Sequence, residues 1–261
     1  MVELLLSGLH GIAPNLLEGL EVIKKKKWGL EIEFTHGVNI SKQLAQEIGE
    51  KSKITLTVHA PYFINLNSLE QQKIKASESR ILKSLEYADL MKARNVVIHA
   101  GFYMKMNEEK VYENIKKELI KIQDKINEQG WKVKLSPETM GKKTQFGWKL
   151  TQLIKLRKEV KGLGMCVDFS HLWAVSQGKT TPEQVLQEIK EEDRNFLKEF
   201  HGHFSGIVYG EKGEKNHVNL TQSDFPYKNL AFALKKYKVK GTIVCESPDA
   251  IGDIELFQKL L

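Results

Sequence analysis

Long apolar runs are missing from this 261-residue chain. No stretch approaches the roughly 20 consecutive apolar residues of a membrane-spanning helix. The start, Met1-Val-Glu-Leu-Leu-Leu-Ser7, has too short an apolar run and no basic lead for a secretory leader. A soluble cytoplasmic protein with no membrane partner is expected. Cysteine is scarce. Cys166 and Cys245 each sit inside an apolar, strand-like run, which fits buried reduced thiols, with a disulfide or a thiolate ligand as the alternative. No linker rich in Pro, Gly or Ser divides the chain, so residues 1–261 are read as one domain. A Gly-x-Gly-x-x-Gly turn after the first strand and a Walker phosphate loop are both absent, which leaves a nucleotide cofactor unsupported. Acid is in short supply relative to base, 33 Asp and Glu against 40 Lys and Arg, for a formal net charge of +7. That balance favours anionic partners such as a nucleic-acid backbone. Runs such as Lys24 to Lys27 and Lys116-Lys117 are equally the mark of solvated helix faces.

What the chain does have is alternation. Eight strand candidates run Val2 to Ser7, Leu30 to Phe34, Ile54 to His59, Asn95 to Ala100, Lys132 to Glu138, Met165 to Asp168, Phe200 to Phe204 and Thr242 to Glu246. Helical patterns lie between most of them. Val111, Ile115, Leu119, Ile122 and Ile126 recur at steps of four and three and are closed by Gly130. Ile81, Leu82, Leu85 and Ala88 form a second stripe. Thr181-Pro-Glu-Gln184 offers a cap, a first-turn proline and a capping box. A further helix runs from Pro226 through Leu230, Ala233, Leu234 and Tyr237. Strand-helix alternation implies a parallel sheet with helices outside. Eight repeats in about 250 residues fit a (β/α)8 TIM barrel of the α/β class. The stretch from Gly206 to Asp224 breaks the pattern: it is Gly-rich, charged and not helical, and it follows the seventh strand. Long loops on that side of a barrel usually carry function.

Several of these strands end on a metal-ligating residue: His59, His99, Glu138, Asp168, His203 and Glu246, with His171 and His217 nearby in sequence. In a parallel barrel all strand C-termini open onto one face, so residues far apart in sequence are predicted to converge there. A lone histidine at a strand end is usually a hydrogen-bonded rim residue, and a buried unpaired carboxylate is costly. Five imidazoles and three carboxylates exceed the three or four ligands of one zinc, which points to two or three divalent cations. Clustered cations suit displacement at phosphorus.

The motifs His59-Ala-Pro-Tyr-Phe-Ile-Asn-Leu66, Val97-Ile-His-Ala-Gly101, Pro137-Glu-Thr-Met-Gly141, Cys166-Val-Asp-Phe-Ser-His171, His203-Phe-Ser-Gly206 and Cys245-Glu-Ser-Pro248 resemble, in this order, those of the endonuclease IV family of apurinic/apyrimidinic endonucleases. The stretches Pro137 to Lys142 and Gly210 to Lys215 are most similar to its archaeal branch. The resemblance implies a TIM barrel that hydrolyses the phosphodiester 5′ to an abasic site in double-stranded DNA, leaving a 3′-hydroxyl and a 5′-deoxyribose phosphate. It implies zinc, two or three ions per chain, with manganese as the alternative, in a protein taken to be a monomer.

Carried over position by position, one metal would be held by His59, His99 and Glu138. A second would use Glu138, as a bridging and catalytically essential carboxylate, with Asp168, His203 and Glu246. The third would use His171, His217 and an Asp two residues before His217. That last position is Lys215 here, with Glu214 beside it, so either Glu214 or a modified lysine is the stand-in or the site holds only two metals, and the third site is expected to be weak. Tyr62 and Phe63 fall where the family wedges a loop into DNA. The usual basic loop after the second strand is replaced by Phe34-Thr-His-Gly-Val-Asn39. Tyr62 as a ring packed over the metal site, and Trp173 as either a cleft or a packing residue, are left open. Fold alone does not exclude a sugar isomerase or epimerase of the xylose isomerase-like superfamily, which uses His, Glu and Asp at the same strand ends. Such enzymes use one or two metals and need fewer histidines.

Overall fold

The computed structural model describes residues 2–8 and 15–261. All eight anticipated strands form: β1 (Val2–Ser7), β2 (Gly29–Glu33), β3 (Leu56–His59), β4 (Asn95–Ile98), β5 (Lys134–Pro137), β6 (Val167–Asp168), β7 (Phe200–Phe204) and β10 (Gly241–Cys245). Between and after them lie α1 (Leu16–Lys26), α2 (Lys42–Lys51), α3 (Gln71–Leu90), α4 (Glu108–Gln129), α5 (Leu150–Glu159), α6 (Phe169–Val175), α7 (Pro182–Glu192), α8 (Tyr227–Lys236) and α9 (Ala250–Gln258). The architecture is the eight-stranded parallel α/β barrel type. Among the described residues no helix is long and apolar enough to cross a membrane.

The chain divides into two compact units. One holds residues 8–138 and 155–165; the other holds β1 with 139–154 and 166–261. In the first, β2, β3, β4 and β5 pair in parallel and in chain order, with Glu33 opposite His59 and His59 opposite Val97. In the second, β1 pairs with β10, β10 with β7 and β7 with β6, again all parallel, with Asp168 opposite His203.

Local chemistry explains the elements that frame the site. In α4, Asn107 caps the N-terminus through its side chain, Glu108 and Glu109 favour the first turn, and Gly130 ends the helix at φ 70°. Its stripe Val111, Ile115, Leu119, Ile122 and Ile126 is buried, each side chain stabilising by roughly 1.5–3 kcal/mol on full burial. The anticipated capping box of α7 is present on Thr181 and Gln184, with Pro182 in the first turn. Strand β6 begins two residues later than its sequence pattern and ends on Asp168 as anticipated; Asp168 then caps α6, accepting from the His171 amide at 2.6 Å. The chain therefore turns from strand to helix within one residue.

The segment after β7, anticipated as a loop, is instead mostly an antiparallel hairpin of β8 (Gly206–Gly210) and β9 (Gly213–Val218). Its pairing is irregular. Val208 faces Asn216 while Tyr209 faces Glu214, which leaves Lys215 as an extra residue in β9. Side chains alternate with period 2 along a strand, and one inserted residue reverses that alternation.

Candidate metal centre

In the first unit, β3, β4 and β5 deliver His59, His99 and Glu138 from their C-terminal ends. The two imidazoles converge on one carboxylate oxygen: Nε2 of His59 lies 3.3 Å and Nε2 of His99 3.0 Å from Oε2 of Glu138. Glu138 and His59 are buried. The other nitrogen of His59, Nδ1, lies 2.8 Å from the Ala60 carbonyl oxygen. A carbonyl only accepts, so Nδ1 must carry a proton and donate it. In neutral imidazole Nε2 then presents a lone pair toward a carboxylate lone pair. Two acceptors at this distance repel unless a proton or a cation lies between them.

The electrostatics agree. Burial opposes the charged form of His59, yet the hydrogen bond to Glu138 and the charges of Glu33, Glu138 and Glu31 outweigh it and push its pKa up to about 10. A site that draws in a proton so strongly is equally suited to a divalent cation. The ligand atoms of all three residues lie within 4.8 Å of one another. An outer carbonyl fixing the tautomer is the usual support of a metal-bound histidine. The donor set therefore fits zinc or another N,O-liganded divalent ion.

In the second unit, Asp168, His171 and His217 also bring ligand atoms within 4.8 Å of one another. His171 stands on the first turn of α6, its Nδ1 2.9 Å from the Thr139 carbonyl oxygen, so the same tautomer reasoning turns its Nε2 toward the site. His217 comes from β9, its ring centroid 5.5 Å from that of His171. Glu214 completes the group, with Oε2 3.6 Å from His171 Nε2. His203, at the fourth position of β7, places Nδ1 3.2 Å from Glu246 Oε1, and Glu246 Oε2 lies 3.8 Å from His217 Nδ1.

Every ligand candidate thus lies beside at least one other within its own unit, and the open question over Glu214 has a geometric answer. The extra residue Lys215 reverses the alternation of β9, so that Glu214 shares a side with His217 although they are three residues apart. Trp173 is a packing residue. Its indole Nε1 donates to Asp224 at 3.0 Å, and Tyr209 donates to the same carboxylate at 2.6 Å, which ties α6 to the hairpin.

Tyr62 and Phe63 are 48% and 61% exposed, far more than packing residues would be. The Tyr62 ring also sits 5.4 Å from His59 and 5.6 Å from His99, so one side covers the imidazoles while the other meets solvent. Phe63 stacks on His36, from the segment that replaces a basic loop.

Several residues of this neighbourhood did not stand out in the sequence. Glu31 is fully buried and accepts from Thr57 at 2.7 Å. The hydroxyl of Tyr62 reaches Glu33 at 3.5 Å. Their signal was present as two acids at alternate positions of an apolar strand, Leu30-Glu-Ile-Glu-Phe34. Cys166 and His201 bring ligand atoms within 4.8 Å of those of His203. His201 Nδ1 is engaged by Thr242 at 2.8 Å.

Residues 24–259 match the family model described as "Xylose isomerase-like TIM barrel". The chain belongs to the xylose isomerase-like TIM barrel family. Among curated relatives, an uncharacterised protein of Methanocaldococcus jannaschii is 36% identical, over 98% of this chain and 96% of its own length. A protein of Mycoplasma mobile described as a probable endonuclease 4 is 27% identical, over 85% of this chain and 80% of its own. Among solved structures, a D-tagatose 3-epimerase-like protein superposes with a TM-score of 0.75 at 19% identity, covering 99% of this chain and 97% of that one. At that identity the likeness shows the fold alone. Proteins named for different chemistries thus share this barrel, and the site rather than the fold must separate them.

Proposed function

We propose that this chain is a metal-dependent phosphodiesterase that nicks double-stranded DNA on the 5′ side of abasic sites. The observation that carries the reading is the His171–His217–Glu214 group, supplied in part by a bulged hairpin, in addition to the His59–His99–Glu138 trio. A sugar epimerase of the same fold needs one or two metals, and a further imidazole-rich set has no task in it. The endonuclease relative and the exposed Tyr62–Phe63 pair support the same choice.

Divalent cations, when bound, would polarise a phosphodiester and make water nucleophilic. The chain's own residues hold and orient. Glu138, Asp168, Glu214 and Glu246 supply the negative charge that retains cations. The Ala60 and Thr139 carbonyls fix the histidine tautomers. Tyr62 and Phe63 offer flat apolar surface to a duplex that lacks one base, where an inserted ring replaces lost stacking.

The test is a choice between two substrates. Purified protein loaded with zinc, or separately with manganese, is given a duplex with one abasic site and, in parallel, a ketohexose. A nick immediately 5′ to the lesion, with no epimerised sugar, is expected. Epimerised ketose with intact duplex would replace this reading with the sugar-epimerase one, which otherwise rests on likeness of fold.

A further inference from the structure

Along the hairpin, bordered by Glu214 of the His171–His217–Glu214 group, lies a cleft of about 620 Å³. Lys142 and Lys143 line it from the segment after β5; Lys212 and Lys215 line it from the hairpin, with Glu211 and Glu214 as its acids. The walls are clamped together. The Glu214 amide donates to the Gly141 carbonyl at 2.9 Å. Any side chain at Gly213, where φ is +96°, would meet that same oxygen at 2.1 Å. Glycine is therefore required for the approach.

The bulge divides the charges. It turns Glu214 toward His171 and leaves Lys215 on the exposed side, its chain running along Gly210. The cleft carries four ammonium groups against two carboxylates, and one of these, Glu214, also lies 3.6 Å from His171 Nε2. Lys143 is held near the Trp148 ring, 5.7 Å from its centroid. No aromatic, Asn or Gln side chain is among the cleft-lining residues, so its lining is dominated by flexible cationic groups suited to phosphate oxygens.

We infer that this lysine cleft is a phosphate-binding subsite that grips the DNA backbone away from the scissile bond. Phosphate contacts fix register without carrying sequence information, which suits an enzyme that must find a missing base in any sequence. The inference rests on the nuclease reading above. It adds that a single bulge residue shapes both the histidine–carboxylate group and the anion grip.

The experiment is equilibrium binding by fluorescence anisotropy across a salt series. The probe is an abasic duplex whose scissile phosphate is replaced by an uncharged methylphosphonate. Holoprotein is compared with Lys143→Gln/Lys212→Gln and Lys143→Arg/Lys212→Arg, and thermal melting checks that each is folded. The glutamine pair is expected to bind about tenfold more weakly at moderate salt. Its slope of log affinity against log salt should be shallower by about 1.8, at about 0.9 per lost phosphate contact. The arginine pair should restore both. If wild-type protein binds and nicks abasic DNA but the glutamine pair shows unchanged affinity and slope, the subsite is wrong while the nuclease reading stands. If wild-type protein binds no duplex at all, both fall together.

Discussion

Glu214 reaches His171 across the β8–β9 hairpin, Oε2 to Nε2 at 3.6 Å, because Lys215 is inserted into β9 as an unpaired residue. A metal ligand two residues before His217 would face the site in a regular strand. Here the candidate carboxylate stands three residues before it, and a bulge restores its direction. Lys215 is exposed, its chain running along Gly210, so solvent screens its ammonium.

Removing the stand-in should empty that group first. Glu214→Ala is expected to lower metal affinity there by at least about tenfold, leaving the remaining metals in place. Lys215→Asp should not tighten binding, because that position faces outward. Metal-to-protein ratios after graded chelation decide it. Tighter retention in Lys215→Asp would show that β9 pairs without the bulge when metal is bound.

Glu138→Gln should abolish nicking while the protein stays folded. The amide cannot offset a cation's charge and offers His59 and His99 a weaker partner. Loss of metal measured by elemental analysis, together with an unchanged far-ultraviolet spectrum, is the expected pair of results. Nicking at the native rate would remove Glu138 from the site.

Tyr62→Ala with Phe63→Ala should weaken binding to abasic duplex far more than hydrolysis of a small phosphodiester. Replacing a few kcal/mol of lost base stacking is a duplex-specific task. Equal losses on both substrates would return these rings to covering the imidazoles.

Cys245 should resist alkylation in the native state and react on unfolding. Burial is the main cause that pushes its thiol up to about 12, despite hydrogen bonding from Ser247 that works the other way. The folded-state value is raised, so this contribution to stability is complete below the unfolded thiol's pKa, about 8.5. It is lost as pH rises from there toward 12. Denaturant midpoints measured at pH 8 and pH 10 should fall accordingly, and rapid labelling of the native protein at pH 8 would contradict the burial.

Thr181→Ala should cost about 1 kcal/mol, since it removes the hydroxyl that accepts from the Gln184 amide at 3.3 Å and half of a reciprocal cap. A shift in the denaturation midpoint, with nicking unchanged, is the expected readout.

The sequence by itself determined the strands, the main helices and the residues at the strand ends. Those signals are local: a period of 2 or 3.6, a cap, a glycine, a break from apolar to ligating residue. Val111 through Ile126 is an amphipathic stripe whatever surrounds it, and Thr181-Pro-Glu-Gln184 caps a helix from four adjacent residues. Tertiary structure decided which side each ligand takes and what supports it. The place of Glu214 depends on how β9 pairs with β8, and no property of Glu214-Lys215-Asn216-His217 alone specifies an unpaired Lys215. The Ala60 and Thr139 carbonyls that set the histidine tautomers belong to the backbone, which carries no residue-type signal. The burial of Glu31 against Thr57 joins residues 26 positions apart. Non-local pairing, backbone acceptors and register are set only when strands meet, and in this protein they turn a list of ligating side chains into oriented groups.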